Sequence, residues 1–187
     1  MVSKKKLNIS SSELNTIKPI TDNQKEVFAS YEKGQNLFLY GVAGTGQTFV
    51  ALYNALKDVL DPKSPRERVY IVRSLLPTRD IGFLPGDEED KSYLYQVPYQ
   101  NMVRFMFQRG SDAEFDRLYT DLRNQGTIDF LSTSFLRGIT IDNGVIIVDE
   151  CQNLNFHELD TIMTRVGQNT RIVFAGDIQQ TDLSLIH

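Results

Sequence analysis

The feature that most restricts the fold of this chain is a glycine-rich segment, GVAGTGQT, at residues 41–48. It lies between an apolar run at residues 36–40, which predicts a buried strand, and residues 49–60, whose apolar spacing predicts a helix. Glycines in such a turn let backbone N–H groups surround phosphate oxygens, and the helix behind adds its positive N-terminal end. This order predicts a nucleotide-phosphate-binding loop with ATP as ligand. The competing interpretation is a plain glycine-rich turn.

Two positions in this loop carry separate chemical predictions. Thr48 is expected to place its hydroxyl on Mg²⁺. Gln47 stands where such loops have a lysine that brings positive charge to the β- and γ-phosphates. A glutamine amide can donate a hydrogen bond but cannot offset developing negative charge, so we expect binding to persist while hydrolysis falls. The residues expected to contact the nucleotide within the loop are Gly41, Ala43, Gly44, Thr45, Gly46, Gln47 and Thr48.

A second motif follows the loop by about 100 residues. Residues 145–148 are an unbroken apolar run, typical of a strand buried on both faces, and Asp149 and Glu150 come directly after it. The arrangement resembles a Walker B motif, in which Asp149 would hold Mg²⁺ and Glu150 would orient or deprotonate the attacking water. Acidic residues also end strands and begin helices, so this motif alone is weak evidence for a metal site. It is stronger evidence here because the glycine-rich loop precedes it.

Three further residues are candidates for the same site. Gln180 follows the last predicted strand and could sense the γ-phosphate through its amide, or belong to a polar turn. Gln24 lies just before the first strand in the manner of an adenine-contacting residue, or serves a helix cap that begins at Thr21. Arg137 could reach phosphates, in the same chain or from a neighbouring subunit, or form a surface ion pair. Arg73, at the end of a predicted strand, is a similar candidate.

Composition narrows the class of protein. With 187 residues, the chain is expected to form one domain at residues 19–187, preceded by a flexible arm at residues 1–18. No apolar run approaches the roughly 20 residues of a membrane span, and no signal peptide opens the chain. The net charge of −4 argues against a domain-wide basic surface for nucleic acid. Cys151 is the single cysteine, and we expect its side chain to fill space in the core. Together these properties predict a cytoplasmic protein without a structural metal.

Strand and helix patterns alternate along the chain, which predicts an α/β fold with a mostly parallel sheet and helices on both faces. An aromatic cluster at residues 93–107 is expected to pack in the core, the alternative being stacking on single-stranded bases. Residues 74–90 read as irregular. The predicted strands are 36–40, 68–73, 127–131, 145–148 and 171–175, and the predicted helices are 21–33, 49–60, 91–109, 112–124 and 156–166.

Taken together, the motifs resemble the PhoH family of P-loop ATPases, and the form of residues 77–86 is most similar to its short phage-encoded members. The resemblance implies a RecA-like P-loop NTPase fold similar to a superfamily 1 helicase core, ATP with Mg²⁺, a cytoplasmic setting, a link to phosphate starvation and to single-stranded RNA, and a homo-oligomer such as a hexameric ring. It assigns Asp149 and Glu150 as the acidic pair, Gln180 as the sensor and Arg137 as a phosphate-contacting residue. The segments that carry it are 41–48, 82–86, 135–138, 148–153, 164–167 and 176–183.

The chain departs from this family pattern at two points. Gln47 replaces the lysine, and the chain ends at His187, where similar members continue for another strand and helix, so we expect a truncated domain. Two hypotheses follow. The chain is an ATP-binding PhoH-like ATPase with impaired hydrolysis, or it is a non-hydrolysing, nucleotide-dependent assembly or regulatory module. Gln47 favours the second hypothesis, and the intact Asp149 and Glu150 favour the first.

Overall fold

A computed structural model of the chain describes residues 9–42, 44–73 and 88–177. Two single-turn 3₁₀ helices, Ser11–Glu13 and Cys151–Asn153, accompany the regular elements. The helices are α1 Asp22–Glu32, α2 Gln47–Val59, α3 Glu88–Met106, α4 Asp112–Asn124 and α5 Phe156–Met163, and the strands are β1 Leu37–Gly41, β2 Arg68–Arg73, β3 Ile128–Ser132, β4 Gly144–Val148 and β5 Arg171–Asp177.

The five strands form one sheet in the order β1-β5-β4-β2-β3, and every neighbouring pair is parallel. This confirms the predicted parallel sheet. Because parallel strands all end at the same edge, the sequences that follow β1, β2, β4 and β5 meet along one line. The glycine-rich loop follows β1 and the acidic pair follows β4, with β5 between these two strands. The topology therefore brings both motifs to one edge of the sheet.

Side chains alternate between the two faces of the sheet, and each face has its own core. On β4, Val145 and Ile147 face a core that includes residues of α2, α3 and α4, while Ile146 and Val148 face a smaller core closed by Leu154 and α5. All five residues of β4 are buried, as expected for a strand covered on both sides. Helices thus pack on both faces, which confirms the predicted layering.

Helix α2 is the most deeply packed helix that the structure describes. Eight of its 13 residues are buried, and it packs across β1, β5, β4 and β2. Its position is a direct consequence of sequence, because the run from Val50 to Val59 is apolar on nearly every side. The first turn of this helix is the part that carries Gln47 and Thr48, so the phosphate-binding loop is anchored to the centre of the domain.

The part of the predicted flexible arm that the structure describes is packed on the domain. Ile9 is buried in the larger core. The Asn15 N–H donates to the carbonyl of Met106 at 2.8 Å, and the Tyr53 hydroxyl bonds the backbone of Asn15 and Ile17. The expectation of a loose arm is therefore wrong for residues 9–17. The sequence of this segment is polar and irregular, and it did not indicate the tertiary contacts that hold the segment to α2 and α3.

Element boundaries differ from the predictions by a few residues. Helix α5 ends at Met163 rather than near residue 166, because Val166 leaves the helix to form a parallel bridge with Ile141. Helix α3 begins at Glu88, so residues 88–90 are helical, and it continues through Pro98. The remainder of the predicted irregular segment, residues 74–87, lies outside the described residues. Within the described part of the chain, no helix combines the length and apolarity that crossing a membrane requires.

A buried ionic cluster fastens the edge of the sheet opposite the phosphate-binding loop. The Asp58 carboxylate, near the end of α2, accepts hydrogen bonds from Ser64 at 2.5 Å, Arg66 at 2.6 Å and Tyr31 at 3.1 Å. Arg171, at the start of β5, lies 3.7 Å from the same carboxylate. Burial and the negative charge of Asp58 raise the pKa of Tyr31, so its hydroxyl stays a donor. The cluster joins α1, α2, β5 and the approach to β2.

We predict that Asp58→Asn lowers the free energy of unfolding by about 3 kcal/mol, because it leaves two partly buried arginines without their counter-charge. The matched control is Glu32→Gln, which removes the exposed pair between Glu32 and Lys57. That change should cost less than about 1 kcal/mol, since solvent screens exposed ion pairs. Urea denaturation followed by circular dichroism measures both variants. Equal losses would contradict the assignment of Asp58 as the stabilising centre of this cluster.

Candidate functional site

The loop after β1 contains two glycines with left-handed backbone conformations. Gly44 and Gly46 adopt left-handed conformations, with φ of 79° and 81°, in which a Cβ would be strained. The N-terminal residues of α1, α4 and α5 are capped by the side chains of Thr21, Ser111 and Asn155. The N-cap of α2 is Gly46, which supplies no side-chain acceptor. The first N–H groups of α2 are therefore left for another acceptor, such as a phosphate.

Two side chains of the loop are bonded within the protein. The Thr45 hydroxyl donates to the carbonyl of Val42 at 2.9 Å, which tightens the turn. The Gln47 amide donates to the carbonyl of Gly176 on β5 at 3.3 Å. A Cβ added at position 41 would lie only 2.9 Å from the nitrogen of this amide. Gly41 thus leaves room for the Gln47 side chain. Ala43, also predicted to contact the nucleotide, lies outside the described residues.

The two predicted metal-binding residues are in direct contact. The Thr48 hydroxyl donates to Oδ1 of Asp149 at 2.7 Å across 101 residues of sequence. Asp149 is buried, so its carboxylate is available on the side of the loop rather than to bulk solvent. No group of three or more acidic, histidine or cysteine side chains with metal-binding geometry occurs in the described ranges. A hydroxyl and one carboxylate nevertheless suit Mg²⁺, which keeps several waters and takes phosphate oxygens as its other ligands.

The second oxygen of Asp149 is held by a residue whose role the sequence did not indicate. The Tyr99 hydroxyl, from α3, donates to Oδ2 of Asp149 at 2.5 Å. Burial, followed by the charge of Asp149, raises the pKa of Tyr99, so the hydroxyl remains protonated. Sequence reasoning assigned Tyr99 to core packing, and it is indeed buried, with its ring against Phe130. Nothing in the sequence indicated that its hydroxyl would reach the acidic pair, because the contact joins elements 50 residues apart.

Glu150 has partners of its own and an unusual backbone. Arg73, at the end of β2, forms an ion pair with Glu150 at 2.5 Å, and the Asn153 amide lies 3.3 Å from the same oxygen. Burial disfavours the charged form of Arg73. The electrostatic effect of Glu150, Tyr99 and Asp149 outweighs burial and raises the pKa of Arg73. Glu150 itself is left-handed, with φ 49° and ψ 44°, which costs about 1 kcal/mol or more for a non-glycine residue. The chain therefore turns sharply at Glu150 and presents its carboxylate beside Asp149.

Gly176 lets the turn after Glu150 lie close to β5. A Cβ at position 176 would meet Sγ of Cys151 at 2.6 Å and Oε1 of Gln152 at 2.8 Å. Gln152 also accepts a hydrogen bond from the N–H of Asp177 at 3.1 Å. Cys151 is buried at this contact, as expected of a filler, and burial raises the pKa of its thiol. The glycine at 176 thus has a packing role beside the acidic pair.

The other predicted site residues lie apart from this cluster or outside the described residues. Gln24 accepts from the N–H groups of Ile20 and Thr21, and so completes the N-terminal cap of α1. Arg137 is exposed and contacts Nε2 of His157 at 3.3 Å, which separates it from the Thr48–Asp149 pair. Gln180 lies outside the described residues, as does the family segment at 82–86. The structure therefore assembles Gly41, Gly44 to Thr48, Asp149 and Glu150.

The predicted aromatic cluster divides between core and surface. Tyr99 and Phe107 are buried, which confirms core packing for these two. Phe105 is exposed and lies edge-on to Phe49, in the first turn of α2. Tyr95 lies one turn before Tyr99, and the guanidinium of Arg73 sits over its ring at 5.4 Å. Tyr99 contacts the acidic pair directly, and Tyr95 contacts it through Arg73.

Comparison with known proteins shows what the chain is similar to. The sequence model of the family described as "PhoH: PhoH-like protein" matches residues 16–187. Protein PhoH2 of Bacillus subtilis (strain 168) is 35% identical over 145 residues, which make up 77% of this chain and 32% of that protein. Protein PhoH of Escherichia coli (strain K12) is 30% identical over 161 residues, 86% of this chain and 44% of that protein. The chain spans less than half the length of these curated relatives.

A solved structure shares the architecture at low sequence identity. The SWI2/SNF2 ATPase core of Sulfolobus solfataricus, determined in complex with dsDNA, aligns with a TM-score of 0.52 and 12% identity, covering 90% of this chain and 34% of that chain. A likeness at this identity bears on the fold alone. It agrees with the parallel sheet and the loop after β1, and the fold is a RecA-like P-loop fold of the kind found in helicase cores.

We predict that Gly176→Ala lowers the free energy of unfolding by about 2 kcal/mol, because the added methyl group meets a short, buried side chain that cannot move away. Gly110→Ala is the control, since its Cβ would meet only the flexible end of Glu114 at 3.3 Å. That variant should change stability by less than about 1 kcal/mol. Thermal and urea denaturation measure both. Adding Cys151→Ala to Gly176→Ala should restore part of the loss, and an unchanged loss would contradict the contact.

Proposed function

The chain belongs to the PhoH family, and we propose that it binds ATP with Mg²⁺ at the sheet edge formed by residues 41–48, Asp149 and Glu150. The observation that carries this proposal is the 2.7 Å hydrogen bond between Thr48 and Asp149. It joins the end of the glycine-rich loop to the first residue of the acidic motif, the juxtaposition that a nucleotide with its metal requires. Two motifs separated along the chain thereby become one site.

Each part of the site has a defined task in this proposal. The backbone N–H groups of residues 44–48 donate to the phosphate oxygens, and Gly44 and Gly46 give the loop its inward curvature. Thr48 and Asp149 would hold Mg²⁺, which would supply positive charge to offset that of the phosphates. Gln24 lies at the start of α1, where we assign it to the adenine. Its side-chain oxygen is engaged in the helix cap, which leaves its amide N–H groups to donate.

Glu150 is the residue that we assign to activation of the attacking water. Its carboxylate lies next to Asp149 along the chain and is oriented by Arg73 and Asn153. A general base must lie within reach of the proton that it accepts, and the ion pair with Arg73 fixes the direction of the carboxylate. Arg73 therefore orients Glu150. Gln180 is the proposed γ-phosphate sensor, and Arg137 a contributor from a neighbouring subunit.

Gln47 sets the expected speed of the reaction. Its neutral amide donates to the Gly176 carbonyl and carries no charge toward the phosphates. Loss of one electrostatic stabiliser costs about 3 kcal/mol of barrier, around a hundredfold in rate. We therefore propose that the chain binds ATP and hydrolyses it slowly. On the family resemblance we further propose a cytoplasmic homo-oligomer, a hexameric ring, that acts on single-stranded RNA.

The retained carboxylates favour this function over a purely regulatory module. A site that only binds nucleotide needs phosphate and metal ligands, but it has no use for a second carboxylate held in a strained backbone conformation. Glu150 is such a residue, with its own ion pair to Arg73. The regulatory alternative rests on Gln47 alone. The two functions differ in one measurable property, the release of phosphate.

We predict that Gln47→Lys releases phosphate from ATP about 100-fold faster than the unaltered chain, because the ammonium group offsets charge on the transferring phosphoryl group. Isothermal titration calorimetry measures ATP binding, and a phosphate-release assay measures turnover, each with and without single-stranded RNA. Glu150→Gln in the Gln47→Lys background is the matched control. It should bind ATP within a few-fold and lose at least about 100-fold in rate.

The outcomes separate the proposals. Binding of ATP without phosphate release in Gln47→Lys would establish the regulatory module instead. Failure of both forms to bind ATP would overturn the site itself. An unchanged rate with RNA, in a variant that does hydrolyse ATP, would remove RNA as an activating partner while leaving the ATPase function intact.

A further inference from the structure

Both oxygens of the Asp149 carboxylate are engaged, and they face different elements. Thr48, on α2, donates to Oδ1 at 2.7 Å, and Tyr99, on α3, donates to Oδ2 at 2.5 Å. The first bond lies on the side of the phosphate-binding loop. The second comes from a buried residue of α3. The carboxylate is therefore clamped between a residue of the nucleotide site and a residue outside both sequence motifs.

A clamp of this kind matters for a metal ligand. An aspartate can rotate about two side-chain bonds, and a donor on one oxygen removes most of that freedom. Partners that hydrogen-bond to ligating carboxylates orient them toward the ion, and their loss commonly costs 10–100-fold in metal affinity. Because Mg²⁺ demands near-ideal octahedral geometry, it is sensitive to the orientation of each protein ligand. The Tyr99 hydroxyl is placed to give Asp149 that orientation.

Tyr99 is itself rigidly placed. Its side chain is only 3% exposed, and its ring meets Phe130 edge-on with centroids 5.4 Å apart. The following turns of α3 continue into the larger core through Val103 and Met106. Tyr95, one turn earlier, lies against Arg73, which pairs with Glu150. One face of α3 thus supports both members of the acidic pair, directly for Asp149 and through Arg73 for Glu150.

We propose that Tyr99 is the positioning residue that orients Asp149 toward the Mg²⁺ bound with the nucleotide. The inference rests on the proposed function, since it assigns a role within the same site. Tyr99 does not touch the nucleotide; it acts through the carboxylate. The alternative is a core tyrosine whose hydroxyl merely finds the nearest acceptor. The two differ in what removal of the hydroxyl does to metal dependence.

The test compares the unaltered chain with Tyr99→Phe, which keeps the ring and deletes the hydroxyl. Calorimetry measures ATP affinity in EDTA and across a titration of Mg²⁺. We expect the Mg²⁺ concentration that gives half of the metal-dependent gain in affinity to rise about 10-fold or more. Affinity in EDTA should stay within about 2-fold, because the phosphate-binding loop is unchanged. In the Gln47→Lys background, phosphate release by Tyr99→Phe should recover as Mg²⁺ is raised.

The matched control is Tyr31→Phe. Tyr31 is also buried and also donates to a carboxylate, that of the partly buried Asp58, at the opposite edge of the sheet. It should lose stability without any change in the Mg²⁺ midpoint.

Each result bears on a distinct statement. A Tyr99→Phe midpoint equal to that of the unaltered chain overturns the positioning role while leaving the proposed function in place. A shift of the same size in Tyr31→Phe also overturns it, because the effect would then reflect stability. ATP binding by the unaltered chain that is indifferent to Mg²⁺ overturns the metal site, and the role of Tyr99 with it. Absence of ATP binding overturns the proposed function as a whole.

Discussion

The contact between Thr48 and Asp149 depends on the register of three parallel strands. Thr48 lies in the first turn after the loop that follows β1, and Asp149 follows β4, with β5 paired to both strands. A shift of one residue in either pairing would turn every side chain of the strand to the other face and separate the two groups. Side chains of β4 are packed in both cores, so such a shift would disrupt close packing on each face of the strand. The burial of ordinary core residues thus sets the geometry of the site.

Close approach of the backbone is the second requirement, and it explains why glycines recur at the sheet edge. Gly41 makes room for Gln47, and Gly176 makes room for the turn that carries Cys151 and Gln152. These glycines have no chemistry of their own. They allow strands and turns to approach until the functional side chains meet.

The residues that the sequence could predict are those whose signal is local. Residues 41–48 and the acidic pair carry their context in the adjoining strand and helix, so their place at one sheet edge followed from the alternation of elements. Tyr99 and Arg73 could not be assigned their partners in this way. Their roles depend on which residues face them across α3, β2 and β4, and that is decided by packing. Residues 9–17 were misjudged for the same reason, since their partners lie on α2 and α3.

The consequence of Gln47 for the site depends on the residues around it. Four features of the acidic pair are present in a chain that lacks the lysine: the hydrogen bonds of Thr48 and Tyr99 to Asp149, the ion pair of Arg73 with Glu150, and the left-handed turn at Glu150. The two features at Glu150 carry a cost in desolvation or backbone strain that nucleotide binding alone does not require. Gln47 meanwhile bonds the Gly176 carbonyl, so the loop stays joined to β5 without the charge. On the proposed function, Glu150 and its partners favour hydrolysis, and we expect the missing charge at Gln47 to slow it.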